Sequence, residues 1–271
     1  MHKISCNVVS CRKEYAEIPI NQMNAQELIR EIRLFCQSHA DPVIVKKYSR
    51  YFKEGYRGYG IPTETFTNKL KELLDSNTLA YDTVVEASRG LIASEPFEEG
   101  SFAILLLKGF RKQFSRETFI TIEEWFPIGI TNWAHADTVA GELLGPMILK
   151  GIISLNDFSS WRDSPYPFQR RVAPVAQIKP MKRHPVIRPY LDFIDPMMMD
   201  PERVVHQGLG WFLREMWKKD PAPVEEFLLK WKNDAARLIF QYATEKMAKE
   251  ERLKYRRTGG QADRRTGKIG N

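Results

Sequence analysis

The chain has 271 residues, 43% of them hydrophobic, which suffices for one large core or two small ones. No apolar run approaches the roughly 18 residues that span a bilayer, and the opening MHKISCNVVSCRKEY lacks the apolar stretch of a signal peptide, so no membrane association and a cytoplasmic location are expected. The formal charge of +7 points to an acidic partner only in part, because residues 254–271 carry six basic residues and one acidic, leaving 35 basic against 33 acidic elsewhere.

That terminal stretch, KYRRTGGQADRRTGKIGN, has no apolar periodicity and reads as a basic, disordered tail. Before it runs a single helical-repeat domain over 1–253, with irregular structure expected in about its first 20 residues. The three cysteines, Cys6, Cys11 and Cys36, form no CxxC pair and, with the five histidines, show no ligand spacing. No metal, no cofactor and no disulfide framework are expected.

In chain order, helical periodicity predicts helices over 25–38, 42–55, 62–75, 80–93, 97–113, 116–126, 132–149, 165–179, 185–194, 201–219, 222–231 and 233–254, while strand alternation is scarce. Asp41-Pro42, Ser164-Pro165, Asp200-Pro201 and Asp220-Pro221 each set a capping side chain before a proline, which loses no hydrogen bond at the first helical position. Trp133, Arg171 and Trp211 stand 38 and 40 residues apart, a period that matches HEAT-type helix pairs. The fold class expected is all-α, a solenoid of antiparallel helix pairs whose concave face presents equivalent positions from successive repeats.

Three helices carry the candidate chemistry. Over 132–149, Ala136, Val139, Ala140, Leu143 and Met147 form the buried stripe, and Trp133 and Asp137 are neighbours at i and i+4 along its edge. Over 165–179, Arg171 flanks a stripe of Phe168, Val172 and Val175, and Pro174 should kink the helix. Over 201–219, Trp211 lies off the stripe beside Gly208 and Gly210, whose missing side chains admit a neighbouring backbone. An isolated WxxxD is usually a core tryptophan and a paired aspartate; two tryptophans and an arginine at matching repeat phases favour a cleft.

These stretches, together with RYFKEGYRGYGIPT (50–63), NWAHADTVA (132–140), Trp161 with FQRRVA (168–173) and GLGWFLREMWKKDP (208–221), make the chain resemble the DNA alkylation repair enzymes of the AlkD type. Those are alkylpurine DNA glycosylases with HEAT-like repeats. The resemblance implies that Asp137 is the catalytic aspartate, that Trp133, Trp211 and Tyr51 line the cleft, and that Arg171 and Arg214 face the phosphates. It also implies a shallow groove without a base pocket. The chain departs from the pattern at Ala134, His135 and Pro62, and its last forty or so residues have no clear counterpart.

Hydrolysis of ordinary glycosides takes two carboxyl groups, one of them to protonate the leaving group. A purine alkylated at N3 or N7 is already cationic and needs no such acid, so one carboxylate facing the sugar is sufficient. The expected partner is duplex DNA bearing alkylated bases, bound by a monomer with no obligate protein partner. Basic stretches at 46–57, 108–116 and 179–188 are candidates for the groove walls. The alternative is a non-catalytic HEAT-like scaffold that binds nucleic acid or protein. No P-loop, HExxH or nucleophile elbow supports a third reading.

Overall fold

The structure is a computed structural model that describes residues 22–53 and 55–258. Among them all regular structure is helical, in the order α1 (Ala25–Ser38), α2 (Pro42–Ser49), α3 (Thr63–Asp75), α4 (Tyr81–Ile92), α5 (Phe97–Gly109), α6 (Arg116–Glu123), α7 (Trp125–Ile128) and α8 (Trp133–Thr138). A π-helical segment (Val139–Leu144) joins α8 to α9 (Gly145–Leu149). Then follow α10 (Ser159–Arg162), α11 (Pro167–Val175), α12 (Ile178–Arg183), α13 (Arg188–Ile194), α14 (Arg203–Trp217), α15 (Pro221–Trp231) and α16 (Arg237–Ala243). No helix among the described residues is long and apolar enough to cross a membrane.

Helix starts follow the sequence where a side chain closes the first turn. Asn24 and Glu27 form a reciprocal capping box at α1, and Asp41 accepts from the Val43 amide at α2. Asp200 accepts from the Glu202 amide, but it also holds Arg170, and α14 starts only at Arg203. Pro174 acts as expected: α11 stops at Val175, and the chain re-enters a helix at Ile178.

The helices pack as a row in which α5 meets α8, α8 meets α11, α11 meets α14, and α14 meets α16, with α4, α10 and α15 packed against α5, α11 and α14, and with α7 against α4 and α13 against α15 beside them. Trp133, Arg171 and Trp211 therefore fall on three successive members of one row, α8, α11 and α14, as the forty-residue spacing implied. One continuous core fills the space between the rows, including fully buried Trp161, whose ring stacks on Phe119 at 5.0 Å.

The two α14 glycines are close-approach positions. A Cβ on Gly208 would meet Arg171 Cγ at 3.0 Å, and one on Gly210 would stand 2.5 Å from Tyr242 Cβ and 2.8 Å from the Ile239 carbonyl oxygen. The backbone of α16 is seated against α14 through the second gap.

Two expectations are corrected at the C-terminal end. The helix expected over 233–254 is only α16, because the chain turns back after Ala243 and ends the described part in a 3₁₀ turn, Glu251–Tyr255. The tail expected from 254 does not start there: Tyr255 is buried, its carbonyl accepts from Arg237, Lys254 pairs with Glu225, and Thr258 bonds Asn233. Residues 259–271, and the irregular stretch expected over the first twenty residues, lie outside the described residues.

Gly210→Ala should destabilise the fold by about 1–3 kcal/mol, since overpacking against backbone outweighs the gain in helix propensity of roughly 1 kcal/mol. Gly208→Ala should cost less, because its closest contact is 3.0 Å, to Arg171 Cγ, against 2.5 Å at Gly210. Urea denaturation of both variants checks the order; equal stability would contradict the seating of α16 on Gly210.

Candidate active site

The site is built on the N-terminal turns of α8. Asn132 caps the helix by accepting the His135 amide at 2.9 Å, which turns the Asn132 amide nitrogen towards His135 Nδ1 at 3.0 Å. The opposite ring nitrogen, Nε2, lies 2.9 Å from the Phe97 carbonyl and 3.1 Å from the Ser101 hydroxyl. The imidazole stacks on Phe97 at 4.5 Å and only 8° from parallel. With a donor already facing Nδ1, a second proton has no acceptor, and burial pushes the His135 pKa down to about 4. His135 is thus a neutral strut between α5 and α8.

Trp133 is exposed, stacks on Phe52 at 5.6 Å, and donates its indole N–H to the Tyr51 carbonyl at 3.3 Å. That contact brings the segment after α2 to the edge of α8. Tyr51 itself is exposed and carries Arg50 over its ring at 5.7 Å. The segment is held from behind by Glu98 on α5, whose carboxylate accepts from the Tyr56 hydroxyl and from the amides of Tyr59, Gly60 and Ile61. Burial and the nearby Glu98 charge push the Tyr56 pKa up, which keeps its proton available for that bond.

Asp137, one turn after Trp133, forms a two-pronged ion pair with Arg171 of α11, both N–H···O distances being 2.8 Å. A third donor of the same guanidinium reaches the Val204 carbonyl of α14 at 2.8 Å. The side chains are 7% (Arg171) and 17% (Asp137) exposed, so the pair is largely removed from water and the carboxylate side chain keeps only a small accessible surface. Arg171 is turned inward and serves the carboxylate. Its neighbour Arg170 is likewise committed, to Asp200 and the Ser164 carbonyl.

Trp211 is half-buried against the core, one turn after Gly208. Arg214 pairs with Glu245 beyond α16 and lies near Glu215 at 3.5 Å. Trp133, Asp137 and Tyr51 thus form one cluster and Arg171 joins it through Asp137, while Trp211 packs against the core from α14 and Arg214 is engaged by acidic partners.

The sequence reading missed the π-helical segment that follows Asp137. In that register the partner of the Gly141 carbonyl would be the nitrogen of Pro146, which carries no hydrogen. Lys179 Nζ supplies the missing donor at 2.7 Å and also pairs with Glu142, which Lys108 holds from the other side. The Gly145-Pro146 dipeptide was the available signal. Among the described residues no group of His, Cys, Asp and Glu is placed to hold a metal ion.

The family model described as DNA alkylation repair enzyme matches residues 33–247. The chain belongs to that family. A predicted DNA alkylation repair enzyme from Enterococcus faecalis is similar in structure at TM-score 0.66 and 19% identity, covering 78% of this chain and 98% of its own. AlkD2 from Streptococcus mutans is similar at TM-score 0.51 and 18% identity, covering 74% and 96%. The protein smu.31 from Streptococcus mutans UA159 is similar at TM-score 0.54 and 16% identity, covering 83% and 100%. No curated protein matches the chain by sequence. At these identities the solved structures establish the all-helical repeat fold, and the family match establishes the chain as one of the DNA alkylation repair enzymes.

Two measurements check the site as built. Removing either partner of a buried pair strands the other charge, at about 3–5 kcal/mol. Asp137→Ala and Arg171→Ala should each show such a loss in urea denaturation, and the double variant should lose clearly less than their sum; additive losses would mean that the pair is not formed. His135, with its pKa lowered, should show no ring titration by NMR between pH 8 and 5. Its stabilisation should be complete above pH 6.5 and fall away as the pH drops towards 4, by about 3 kcal/mol in all. A His135 midpoint near the ordinary value would contradict the neutral strut.

Proposed function

We propose that this DNA alkylation repair enzyme is a DNA glycosylase that hydrolyses the N-glycosidic bond of cationic N3- or N7-alkylpurines in duplex DNA. The observation that carries the reading is Asp137: a single, largely buried carboxylate, fixed in orientation by a bidentate arginine, one turn after an exposed tryptophan. A leaving group that already bears positive charge needs no general acid. What remains is to stabilise the charge developing on the sugar and to position water, and a preorganised carboxylate does both.

In this reading Arg171 is a positioning residue. It engages both carboxylate oxygens and fixes their orientation, leaving their remaining lone pairs to act on the nucleotide, at the cost of partly neutralising the charge. Trp133 offers an electron-rich face to the cationic nucleotide, and Tyr51 and Trp211 flank it. Because Arg171 is engaged inward, phosphate contacts fall mainly to the exposed Lys46, Lys47, Arg50 and Lys53 around Tyr51. None of these four forms a salt bridge with another described residue. The competing reading, a scaffold without chemistry, would also keep the Asp137–Arg171 pair for stability, so activity must decide.

Asp137→Asn should lower excision of 7-methylguanine from duplex DNA by about 10²–10³-fold in single-turnover assays, the range for losing one preorganised electrostatic group. It should also cost stability, unlike the substitution of an unpaired surface aspartate, so folding is verified by circular dichroism. Excision at the wild-type rate would place the chemistry on another residue. Duplex affinity should fall steeply with salt, and Lys46→Ala with Lys47→Ala should lower the slope of log K against log salt by up to about 0.9 per lost contact. Arg171→Ala should leave that slope unchanged; a slope reduced by one contact would mean that Arg171 reaches the phosphate itself.

A further inference from the structure

The π-helical segment that follows Asp137 carries a second ionic contact, built differently from the first. Glu142 sits between two lysines: Lys108, from the last turn of α5, approaches one carboxylate oxygen at 2.9 Å, and Lys179 of α12 approaches the other at 3.1 Å. Lys179 also donates to the Gly141 carbonyl at 2.7 Å. Trp133 precedes Asp137 by four residues and Glu142 follows it by five, so the triad and the Tyr51 segment lie on opposite sides of that carboxylate.

Exposure distinguishes this triad from the ion pairs that hold the fold. The side chains of Lys108, Glu142 and Lys179 are 38%, 36% and 52% exposed, so water reaches all three. Glu215 on α14 is also held by two lysines, Lys182 and Lys218, but its side chain is only 7% exposed, like that of Arg171. Losing those lysines would strand Glu215 as a buried charge, whereas Glu142 can hydrate. Ion pairs that remain in water contribute little to stability. A phosphodiester presents the same charge and the same two free oxygens as a carboxylate, so it can replace Glu142 at both ammonium groups.

We infer that Glu142 is a stand-in for a backbone phosphate: as duplex DNA enters the groove, Lys108 and Lys179 pass from Glu142 to the phosphate. In the free protein the carboxylate keeps the two lysines paired and positioned. During binding it competes with the DNA, which limits affinity for any duplex. The transfer sets a backbone contact on the side of Asp137 away from Trp133, so the carboxylate lies between this grip and the cations around Tyr51. The inference rests on duplex DNA as the partner, as in the reading above, and not on the cleavage chemistry proposed there.

Fluorescence anisotropy of an undamaged, labelled duplex, titrated with the full chain over a series of salt concentrations, tests the transfer. Lys108→Met should lower the slope of log K against log salt by up to about 0.9, one phosphate contact, and Lys108→Arg should restore it. Lys108 is the position to change because Lys179 also supports the Gly141 carbonyl. Glu142→Gln should bind about three- to ten-fold more tightly at unchanged slope, since only the competitor is removed. The same change of charge at Glu124, which pairs with Arg89 in the open and away from the row of α5, α8 and α11, should tighten binding less than about two-fold. An unchanged slope in Lys108→Met, or Glu142→Gln no tighter than Glu124→Gln, overturns the inference and leaves the triad as a staple between helices. Wild-type protein that binds no duplex overturns both readings. If the variants behave as expected but wild-type protein releases no 7-methylguanine, the glycosylase reading fails while the transfer stands.

Discussion

The structure turns on the contact between Arg171 and Asp137. Its three hydrogen bonds join α8, α11 and α14, three successive members of the helix row, so the guanidinium both staples the solenoid and sets the angle of the carboxylate. Taking two charges out of water is expensive, and replacing such a pair by apolar side chains is often neutral or stabilising. The pair is therefore weak evidence for stability as such and stronger evidence for orientation. A carboxylate gripped at both oxygens is held in a single orientation, as the proposed stabilisation of charge on a sugar requires.

The second constraint is how α8 is held at the correct height. Three contacts converge there: the Asn132 cap, the neutral His135 wedged between Phe97 and the Asn132 amide, and Trp133 bonded to the Tyr51 carbonyl. Glu98 then fixes the segment 56–61 through backbone amides, which couples the aromatic wall to α5. Fold and site are thus one construction at this end. Trp133 and Asp137 are thus held by side chains buried behind them, and His135 is one of these.

Much of this was legible in the sequence, for identifiable reasons. α1 was located to the residue because its capping box and its apolar stripe agree. The adjacency of Trp133 and Asp137 followed from helical geometry alone, and the close approach at Gly208 and Gly210 from the absence of side chains. What was not legible depends on contacts between distant residues. Asp137 and Arg171 are 34 positions apart, and nothing local says that the arginine turns inward rather than out to a phosphate. The break after Ala243 has a similar origin, since the pattern over 233–254 is helical and contacts with distant residues, namely the burial of Met247 and Tyr255 and the Lys254–Glu225 pair, hold the chain folded back.

The central claim is that one oriented carboxylate suffices because the leaving base is already cationic. Duplexes carrying either a single 7-methylguanine or a single uracil, each incubated with excess wild-type protein and assayed for free base, test it most directly. The account predicts release of 7-methylguanine and none of uracil above the spontaneous rate. Release of uracil at a comparable rate would contradict it, because that leaving group needs an acid this site is not built to supply.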